Sequence, residues 1–353
     1  MSARIEIDLE AFRQNVRALA TIAAPARTML AVKADGYGHG MLPIARAALQ
    51  SGADSLAVLD APAALALRDA GIDAQLFAWL HGRDTDFRAA IEADVDLGVS
   101  SLVELRRIGE AGAGRPAAVH LKIDTGLHRN GASPEDWPAL VGEALAYQER
   151  GQVRLAGLWS HLADASPADD AAALAEFQAA VAVAAGIGVP MEGPDRPLLH
   201  LAASSAGIRM PEARFDLVRF GIAAYGVSPF DDVDARGLGM RAPMTMRASV
   251  IAADGGTVAL DLGSADGVPP SVLGPSGSGA EVLLGGRRVS VTAVGIDTIE
   301  VAATASVGDE AIVFGPGDQG EPTAEEWAGW AGTIGDEILA RASTRIPRIY
   351  LNE

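Results

Sequence analysis

Eight short apolar segments alternate with segments of helical character between residues 28 and 222. Strands that are buried on both faces give nearly continuous apolar segments, which are typical of parallel sheets covered by helices. The predicted strands are residues 28–32, 55–59, 75–79, 95–99, 117–123, 154–159, 198–201 and 217–222. The predicted helices are residues 41–51, 61–70, 84–93, 100–111, 134–150 and 168–185. Eight such units predict a (β/α)8 TIM-like barrel of the α/β class, with a doubly wound open sheet as the alternative.

A further helix is predicted over residues 8–24, ahead of the first strand of the barrel. Asp8 is a suitable N-cap for it, and apolar residues recur at helical spacing from Leu9 to Leu19. The barrel domain is therefore predicted to cover residues 8–230.

The pattern changes after residue 230, where residues 231–237 read as a connector. Strand-like segments separated by Gly, Pro and Ser clusters predict a mainly antiparallel β domain over residues 231–353, joined by a strand at residues 1–7. Its predicted strands are residues 244–252, 257–262, 288–302 and 311–314. One helix is predicted at 324–342, with Thr323 and Glu326 at capping-box spacing, and residues 268–279 are predicted to form a mobile loop.

Composition excludes several classes of function. The 353-residue chain contains no cysteine, so disulfides, zinc-thiolate sites and cysteine nucleophiles are ruled out, and we expect no metal. A formal net charge of −18 argues against nucleic acid or an anionic membrane as a partner. No uninterrupted apolar run is long enough to cross a membrane, and the first residues lack the apolar core of a signal peptide. We therefore expect a cytoplasmic protein.

The carboxyl ends of the predicted strands collect the candidate functional residues. Chemistry in a (β/α)8 barrel takes place at this face, and phosphate typically binds after strands 7 and 8. Small residues and backbone N–H groups near Ser204 and Gly221 suit a phosphate. The candidates are Lys33, Lys122, Asp124, Arg129, Ser160, His161, Ser204, Arg219, Gly221 and Ile222.

Lys33 follows the apolar segment 29–32 and precedes a glycine-rich turn at residues 36–40. Glycine allows the backbone to approach a ligand closely, and a partly desolvated lysine at a strand end is a candidate Schiff-base nucleophile. The alternative is a surface lysine whose stem covers apolar residues before a polar loop.

The segment AVKADGYGHG at residues 31–40 resembles the pyridoxal-phosphate signature of the alanine racemase family. RIEIDLEAFRQNVRAL at residues 4–19 is similar to the opening strand and helix of that family. Further similar segments are KIDTGLHRNG at 122–131, WSHLADA at 159–165, HLAASSAGI at 200–208 and DLVRFGIAAYG at 216–226. The resemblance covers nearly the whole chain and implies a fold-type III pyridoxal-phosphate enzyme.

The resemblance also implies roles for individual residues. Lys33 matches the lysine that forms the internal aldimine with pyridoxal phosphate. Tyr37, Ser204, Gly221 and Ile222 match residues that contact the phosphate of the cofactor.

Four further residues match positions around the cofactor ring and the substrate. His161 matches a histidine packed by the pyridine ring, and Arg129 matches the arginine near the substrate carboxylate. Lys122 matches a lysine that is often carbamylated. Arg219 matches the arginine that donates a hydrogen bond to the pyridine nitrogen. Because a guanidinium keeps its proton, the ring stays a weak electron sink, which favours racemisation over transamination.

The implied activity is interconversion of L- and D-alanine, which supplies D-alanine as a peptidoglycan precursor. The family's active site is shared across a homodimer, so a second copy of the chain is the expected partner and a small amino acid the expected substrate.

The C-terminal part departs from the family pattern. Racemisation needs two bases on opposite faces of Cα, and the family's second base is a tyrosine from the partner's β domain. Residues 251–262 contain no tyrosine, while Ser264 and Asp336 stand where the family has tyrosines. An aspartate near a phosphate repels it. None of the chain's four tyrosines, at positions 37, 147, 225 and 350, occupies the position of the second base.

Three hypotheses follow. In the first, the chain is an alanine racemase with weakened activity, or one in which another group, such as Asp266 or a water, relays the second proton. It is alternatively a pyridoxal-phosphate enzyme that works on one face of an amino acid. The third possibility is a non-catalytic or partner-dependent paralogue that pairs with a complete racemase as a heterodimer.

Overall fold

The computed structural model describes residues 3–274 and 279–353, and within them the chain forms sixteen strands and eleven helices. The strands are β1 Arg4–Asp8, β2 Arg27–Ala31, β3 Ser55–Val58, β4 Gln75–Ala78, β5 Val95–Val99, β6 Ala117–Lys122, β7 Val153–Trp159, β8 Leu198–His200, β9 Leu217–Phe220, β10 Met244–Asp254, β11 Thr257–Leu260, β12 Glu281–Leu284, β13 Arg287–Val294, β14 Ile299–Ala302, β15 Glu310–Phe314 and β16 Arg348–Leu351. The helices are α1 Leu9–Ala23, α2 Lys33–Tyr37, α3 Met41–Leu49, α4 Ala61–Asp69, α5 Phe87–Glu92, α6 Leu102–Ala111, α7 Trp137–Glu149, α8 Pro167–Ile187, α9 Ser204–Arg209, α10 Ala324–Ala331 and α11 Gly335–Ala340.

The chain divides into two compact units. The barrel unit consists of Leu19–Lys33 and Gly52–Gly221. The β-domain unit consists of Ala34–Ser51 and Ile222–Glu353, together with the N-terminal residues up to Ala18.

Eight parallel strands form the sheet of the barrel unit, in the order β8-β7-β6-β5-β4-β3-β2-β9. The two end strands approach each other, because Asp216 N donates to Leu199 O and Arg219 N donates to Ala202 O, both at 3.0 Å. The ring is therefore nearly closed, and the predicted (β/α)8 barrel is confirmed. The eight predicted strands correspond to β2–β9, with ends that differ by one or two residues.

Burial explains why these strands were recognisable. Every residue of β3, β5 and β9 is buried, and most of these residues are apolar. An apolar cluster inside the unit brings together residues from five strands: Met29, Ala57, Phe77, Trp159 and Leu217. Four barrel helices are capped at their N-termini by the side chain of the preceding residue, whose oxygen accepts a hydrogen bond from a backbone N–H of the first turn. The capping residues are Asp60, Asp86, Ser101 and Ser166.

Helix α8 is long and apolar enough to cross a membrane by length and composition, with a mean hydropathy of 1.4. Its buried residues, such as Leu174 and Phe177, recur on one face, and α7 packs there through Trp137 Nε1, which donates to Ala180 O at 2.8 Å. Core helices of soluble proteins pass the same test, so one such helix is weak evidence for a membrane span.

The sheet of the β-domain unit has the order β11-β14-β13-β12-β15-β10-β1-β16, with a further pairing between β10 and β11. Its pairs are antiparallel except for β1 with β16, which confirms the predicted mainly antiparallel domain. Asp8 caps α1 as predicted, because its Oδ1 accepts from the N–H groups of Glu10 and Ala11 at 3.1 Å.

Two predictions for this unit are wrong in detail. The predicted strand 288–302 is two strands, β13 and β14, which pair with each other across a turn that begins at Gly295. The predicted helix 324–342 is also two helices, because Gly332 ends α10 in the left-handed region at φ 68°. The capping box of Thr323 and Glu326 is confirmed. Strands β12 and β16 were not predicted.

The predicted mobile loop 268–279 contains a short 3-10 helix, Pro270–Leu273, in which Val272 is fully buried. Residues 275–278 of that prediction lie outside the described residues.

Candidate active site

Lys33 comes two residues after β2, and Val32 N donates to Ala57 O of the neighbouring strand at 2.9 Å. The chain then makes one left-handed turn, in which Ala34, Asp35 and Tyr37 have φ between 50° and 54°. Left-handed backbone costs an L-residue about 1–2 kcal/mol, so surrounding contacts must hold this turn.

Contacts within the β-domain unit hold the turn. The buried His39 ring hydrogen-bonds through Nδ1 to the carbonyl oxygens of Gly36 and Tyr37, at 3.1 and 2.9 Å. Strand β16 supplies two further donors, because Arg348 donates to Gly38 O and the Tyr350 hydroxyl donates to His39 O. The backbone that follows Lys33 is therefore fixed by residues distant in the sequence.

Arg219 of β9 is buried inside the barrel unit. Its Nη1 donates to His200 Nδ1 at 2.9 Å, and its Nη2 donates to Ser160 O at 2.7 Å and Leu201 O at 2.9 Å. Burial, with a contribution from Arg129, lowers the pKa of Arg219 to about 9, so the guanidinium remains a cation at neutral pH. Among the described residues, no hydrogen bond engages its Nε.

His161 and Lys122 lie in the same unit as Arg219. His161 Nδ1 is 3.3 Å from Arg219 Nη2. Burial and the positive charges of Arg219 and Arg129 hold the pKa of His161 well below its ordinary value, so the ring is neutral.

Lys122 Nζ donates to the carbonyl and side-chain oxygens of Asn130, at 2.8 and 2.5 Å. Burial and the charge of Arg129 lower the pKa of Lys122 to about 8. Both Lys122 Nζ and Arg219 Cζ lie 5.1 Å from the ring centroid of Trp159, a residue that sequence reasoning did not single out.

Arg129 lies in the turn after β6, and its side chain is exposed. Asp124 accepts from the N–H groups of Gly126 and His128 and lies 2.9 Å from His128 Nδ1, so it orders the turn. Asp124 makes no ion pair with Arg129 among the described residues.

Ser204 begins α9 after β8, and its Oγ accepts a hydrogen bond from Gly221 N at 3.1 Å. The two predicted phosphate contacts of the barrel unit are therefore neighbours. Tyr37 and Ile222 belong to the β-domain unit. There Tyr37 packs on Tyr225 with ring centroids 4.6 Å apart, and burial, with the charge of Asp336, raises the pKa of Tyr37.

Three titratable residues of the barrel interior were missed by sequence reasoning. Asp96, His120 and His200 lie on β5, β6 and β8 and form a hydrogen-bonded series that ends at Arg219. The available signal was a charged or polar residue within an otherwise apolar buried strand.

Strands β10 and β11 meet in a two-residue turn. Asp254 pairs with Thr257, and the residues between them, Gly255 and Gly256, have φ of 53° and 95°. Positive φ at both positions is the requirement of a tight hairpin. This turn lies within residues 251–262, the segment that is predicted to depart from the family pattern.

Two family models match successive parts of the chain. Residues 7–229 match the alanine racemase N-terminal domain, and residues 246–350 match the alanine racemase C-terminal domain. Alanine racemase from Streptomyces coelicolor is 42% identical over 386 residues, covering 100% of this chain and 97% of the relative. The alanine racemase of Frankia casuarinae is 41% identical, covering 98% of this chain and 95% of the relative.

Solved structures agree. The alanine racemase of D-cycloserine-producing Streptomyces lavendulae superposes with a TM-score of 0.94 at 37% identity, covering 100% of this chain and 98% of that one. Alanine racemase from Streptomyces coelicolor A3(2) gives 0.93 at 40% identity with the same coverage. The chain belongs to the alanine racemase family.

Proposed function

We propose that this chain is a pyridoxal-phosphate-dependent alanine racemase, an isomerase that interconverts L- and D-alanine. One observation carries the proposal: a lysine follows the first strand of a barrel that also buries Arg219 beside a neutral His161, in a chain that matches alanine racemases over its full length.

The chemistry of the donors in the barrel unit fits pyridoxal phosphate. Arg219 presents an Nε donor that no hydrogen bond uses among the described residues, which suits an unprotonated pyridine nitrogen. Ser204 Oγ and Gly221 N are adjacent and suit phosphate oxygens. When bound, the cofactor supplies the electron-withdrawing system that acidifies the Cα–H bond of an amino acid.

The protein's own residues bind, orient and move protons. We assign Lys33 to cofactor attachment and to proton transfer at Cα on one face. His161, whose pKa is lowered by burial and nearby cations, packs as a neutral ring. Tyr37 and Ile222 are assigned to the phosphate, and Arg129 to the substrate carboxylate.

Lys122 is proposed as a site of carbamylation. Only a neutral amine reacts with carbon dioxide, and a pKa of about 8 makes a large neutral fraction accessible near physiological pH. A carbamate would place a negative charge on the same residue, where Arg129 now lowers its pKa by repulsion.

The second base is the open part of the proposal, and it motivates a second candidate function. The two-residue turn between β10 and β11 has no tyrosine, and Asp336 stands where the family resemblance expects one. A degenerate racemase paralogue would accordingly exchange a proton on one face only, or would need a second subunit. Asp266 is a candidate relay, with Oδ2 accepting from Gly263 N at 3.0 Å.

A homodimer with a shared active site is the assembly we propose, with a heterodimer containing a complete racemase as the alternative. We also propose a cytoplasmic location and a role in supplying D-alanine for peptidoglycan.

Deuterium incorporation separates these functions. The purified protein with pyridoxal phosphate and L-alanine in D₂O should yield D-alanine deuterated at Cα. Deuterated L-alanine without D-alanine would support the one-face enzyme and refute the racemase. No exchange by the holoprotein alone, but exchange after adding a second racemase-like chain, would support the heterodimer.

The attachment of the cofactor can be tested separately, because Lys33 and Lys122 are the only two lysines of the chain. Borohydride reduction in the presence of pyridoxal phosphate should fix the cofactor on the peptide that contains Lys33. Lys33→Ala should lose the modification, and Lys122→Arg is the matched control that should retain it. Modification of Lys122 instead would contradict the assignment.

A further inference from the structure

A series of buried hydrogen bonds crosses the interior of the barrel unit. Asp96 Oδ2 lies 3.1 Å from His120 Nε2, His120 Nδ1 lies 2.8 Å from His200 Nε2, and His200 Nδ1 lies 2.9 Å from Arg219 Nη1. His120 and His200 are fully buried, while Asp96 is 6% and Arg219 is 7% exposed. We call these four residues the barrel relay.

The backbone of β7 leaves room for the relay. His120 on β6 and His200 on β8 flank β7, and a Cβ at Gly157 of β7 would lie 2.1 Å from His120 Nδ1. The pairing of β6 with β7 also shifts register between Val119 and His120. The absence of a side chain at Gly157 therefore permits the contact between the two imidazoles.

The direction of every hydrogen bond follows from the two ends of the relay. Arg219 can only donate, so His200 Nδ1 must accept, and the proton of neutral His200 is on Nε2. That proton is donated to His120 Nδ1, which leaves the proton of His120 on Nε2, where the carboxylate of Asp96 accepts it. A second proton on His120 would face His200 Nε2 and break this order.

The relay also explains how a buried cation is tolerated. Arg219 makes no ion pair with a carboxylate among the described residues, although an unpaired buried charge is costly. Two neutral imidazoles instead connect it to the anionic Asp96. A direct carboxylate partner would compete for the guanidinium's donors, whereas this arrangement leaves Nε available.

We propose that Asp96 and His120 are positioning residues that act through His200 to hold the Arg219 guanidinium toward the pyridine ring of the cofactor. This proposal rests on the assignment of Arg219 to the pyridine nitrogen.

The protonation states support the same order. Burial, together with the charge of Arg219, holds the pKa of His200 well below its ordinary value. Burial disfavours the ionised form of Asp96, but hydrogen bonds from His120 and Gln75 outweigh it and keep the pKa of Asp96 below its ordinary value. Gln75 Nε2 donates to Asp96 Oδ2 at 2.5 Å, which fixes the carboxylate.

Nitrogen-15 NMR of the holoprotein labelled at histidine tests the order of protons, because the chain has only six histidines. His120 and His200 should each carry one proton, on Nε2. A proton on Nδ1 of either ring would overturn the proposal.

Variants test the link to Arg219. His120→Phe removes the link and should shift the His200 signal. It should also weaken binding of pyridoxal phosphate and lower kcat. We expect each of these two losses to be roughly tenfold to a hundredfold, as for other positioning partners. The KM for alanine should stay unchanged. His120→Gln can accept from His200 and donate to Asp96, so it should restore most of the loss. Gly157→Ala should shift the His200 signal as His120→Phe does, without altering any relay residue.

Ser55→Ala is the matched control, because Ser55 is buried on β3 and its hydroxyl has no hydrogen-bond partner among the described residues. It should leave the histidine spectrum and cofactor affinity unchanged. If His120→Phe is folded by NMR and binds pyridoxal phosphate as tightly as the wild type, the proposal is wrong while the proposed function stands. If the wild type itself binds no pyridoxal phosphate, the proposed function fails, and the positioning role fails with it.

Discussion

Arg348 of β16 is the residue whose removal should most clearly release the backbone that follows Lys33. Its guanidinium donates five hydrogen bonds within the β-domain unit. These reach Gly38 O twice, at 3.1 and 3.0 Å, and the carbonyl oxygens of Ala342, Ser343 and Ile346 at 2.9, 2.6 and 2.9 Å. Arg348→Met keeps the length and apolar stem of the side chain and removes every donor.

The expected loss follows from the number of carbonyl groups left without this donor. A hydrogen bond contributes about 1 kcal/mol net, and somewhat more when the donor is charged. Five bonds would give about 5 kcal/mol, but Arg348 is half-buried, so water replaces part of them. We therefore expect Arg348→Met to lower the free energy of unfolding by about 2–4 kcal/mol.

Urea denaturation followed by circular dichroism measures this loss, with racemase activity as a second readout. The matched control is Arg345→Met, because Arg345 is exposed and, among the described residues, its side chain makes only long contacts, to Asp297 at 3.3 Å and Asp266 at 3.9 Å. The control should change stability by less than about 0.5 kcal/mol. Equal losses in the two variants would refute the reasoning, as would full activity in an Arg348→Met protein that is destabilised as expected.

Three other changes test separate parts of the structure. Carbamylation of Lys122 can be followed by carbon-13 NMR with labelled bicarbonate. Its extent should increase as pH rises through about 8, because the ammonium form that predominates below that pKa cannot react. An extent of carbamylation that does not depend on pH would contradict the lowered pKa of Lys122. Gly109→Ala should lower the free energy of unfolding by about 1–3 kcal/mol, because the new Cβ would lie 2.4 Å from the ring of Tyr147. Gly142→Ala, in helix α7 and with nothing within 4 Å of the new Cβ, should raise it by about 0.4–1 kcal/mol; thermal unfolding of the pair would disprove this if both shifted in one direction. Asp60→Ala removes the acceptor for Ala63 N at the start of α4 and should cost about 1 kcal/mol by the same assay, whereas Asp60→Asn should retain most of it.

The barrel could be predicted from the sequence because its strands are buried on both faces. All residues of β3, β5 and β9 are buried and most of them are apolar, which leaves a local signal. The turn of the β-domain unit at Gly295 and the helix end at Gly332 were missed because apolar residues continue on both sides. In both places a single glycine or a short turn interrupts a pattern that otherwise continues.

The barrel relay could not be predicted, for a different reason. The contact of His120 with His200 depends on the register of β6 against β7 and on the missing side chain of Gly157, neither of which the sequence of one strand reveals. Lys33 was found because it ends a strand, whereas the residues that hold its turn, Arg348 and Tyr350, lie more than three hundred positions away. Local patterns therefore identified the lysine that we propose binds the cofactor, and missed the residues that hold the turn after it.

The space beside Gly157 has an evolutionary consequence. Any side chain at this position displaces His120, so a lineage cannot change β7 there while keeping the contact to His200. Conversely, once His120 is lost, His200 loses the acceptor for its Nε2 proton, and Gly157 is no longer needed. Single substitutions in this part of the barrel should be deleterious, while joint replacement of all three positions by apolar residues could be tolerated by the fold. Relatives of this chain should thus carry these three residues together or lack them together.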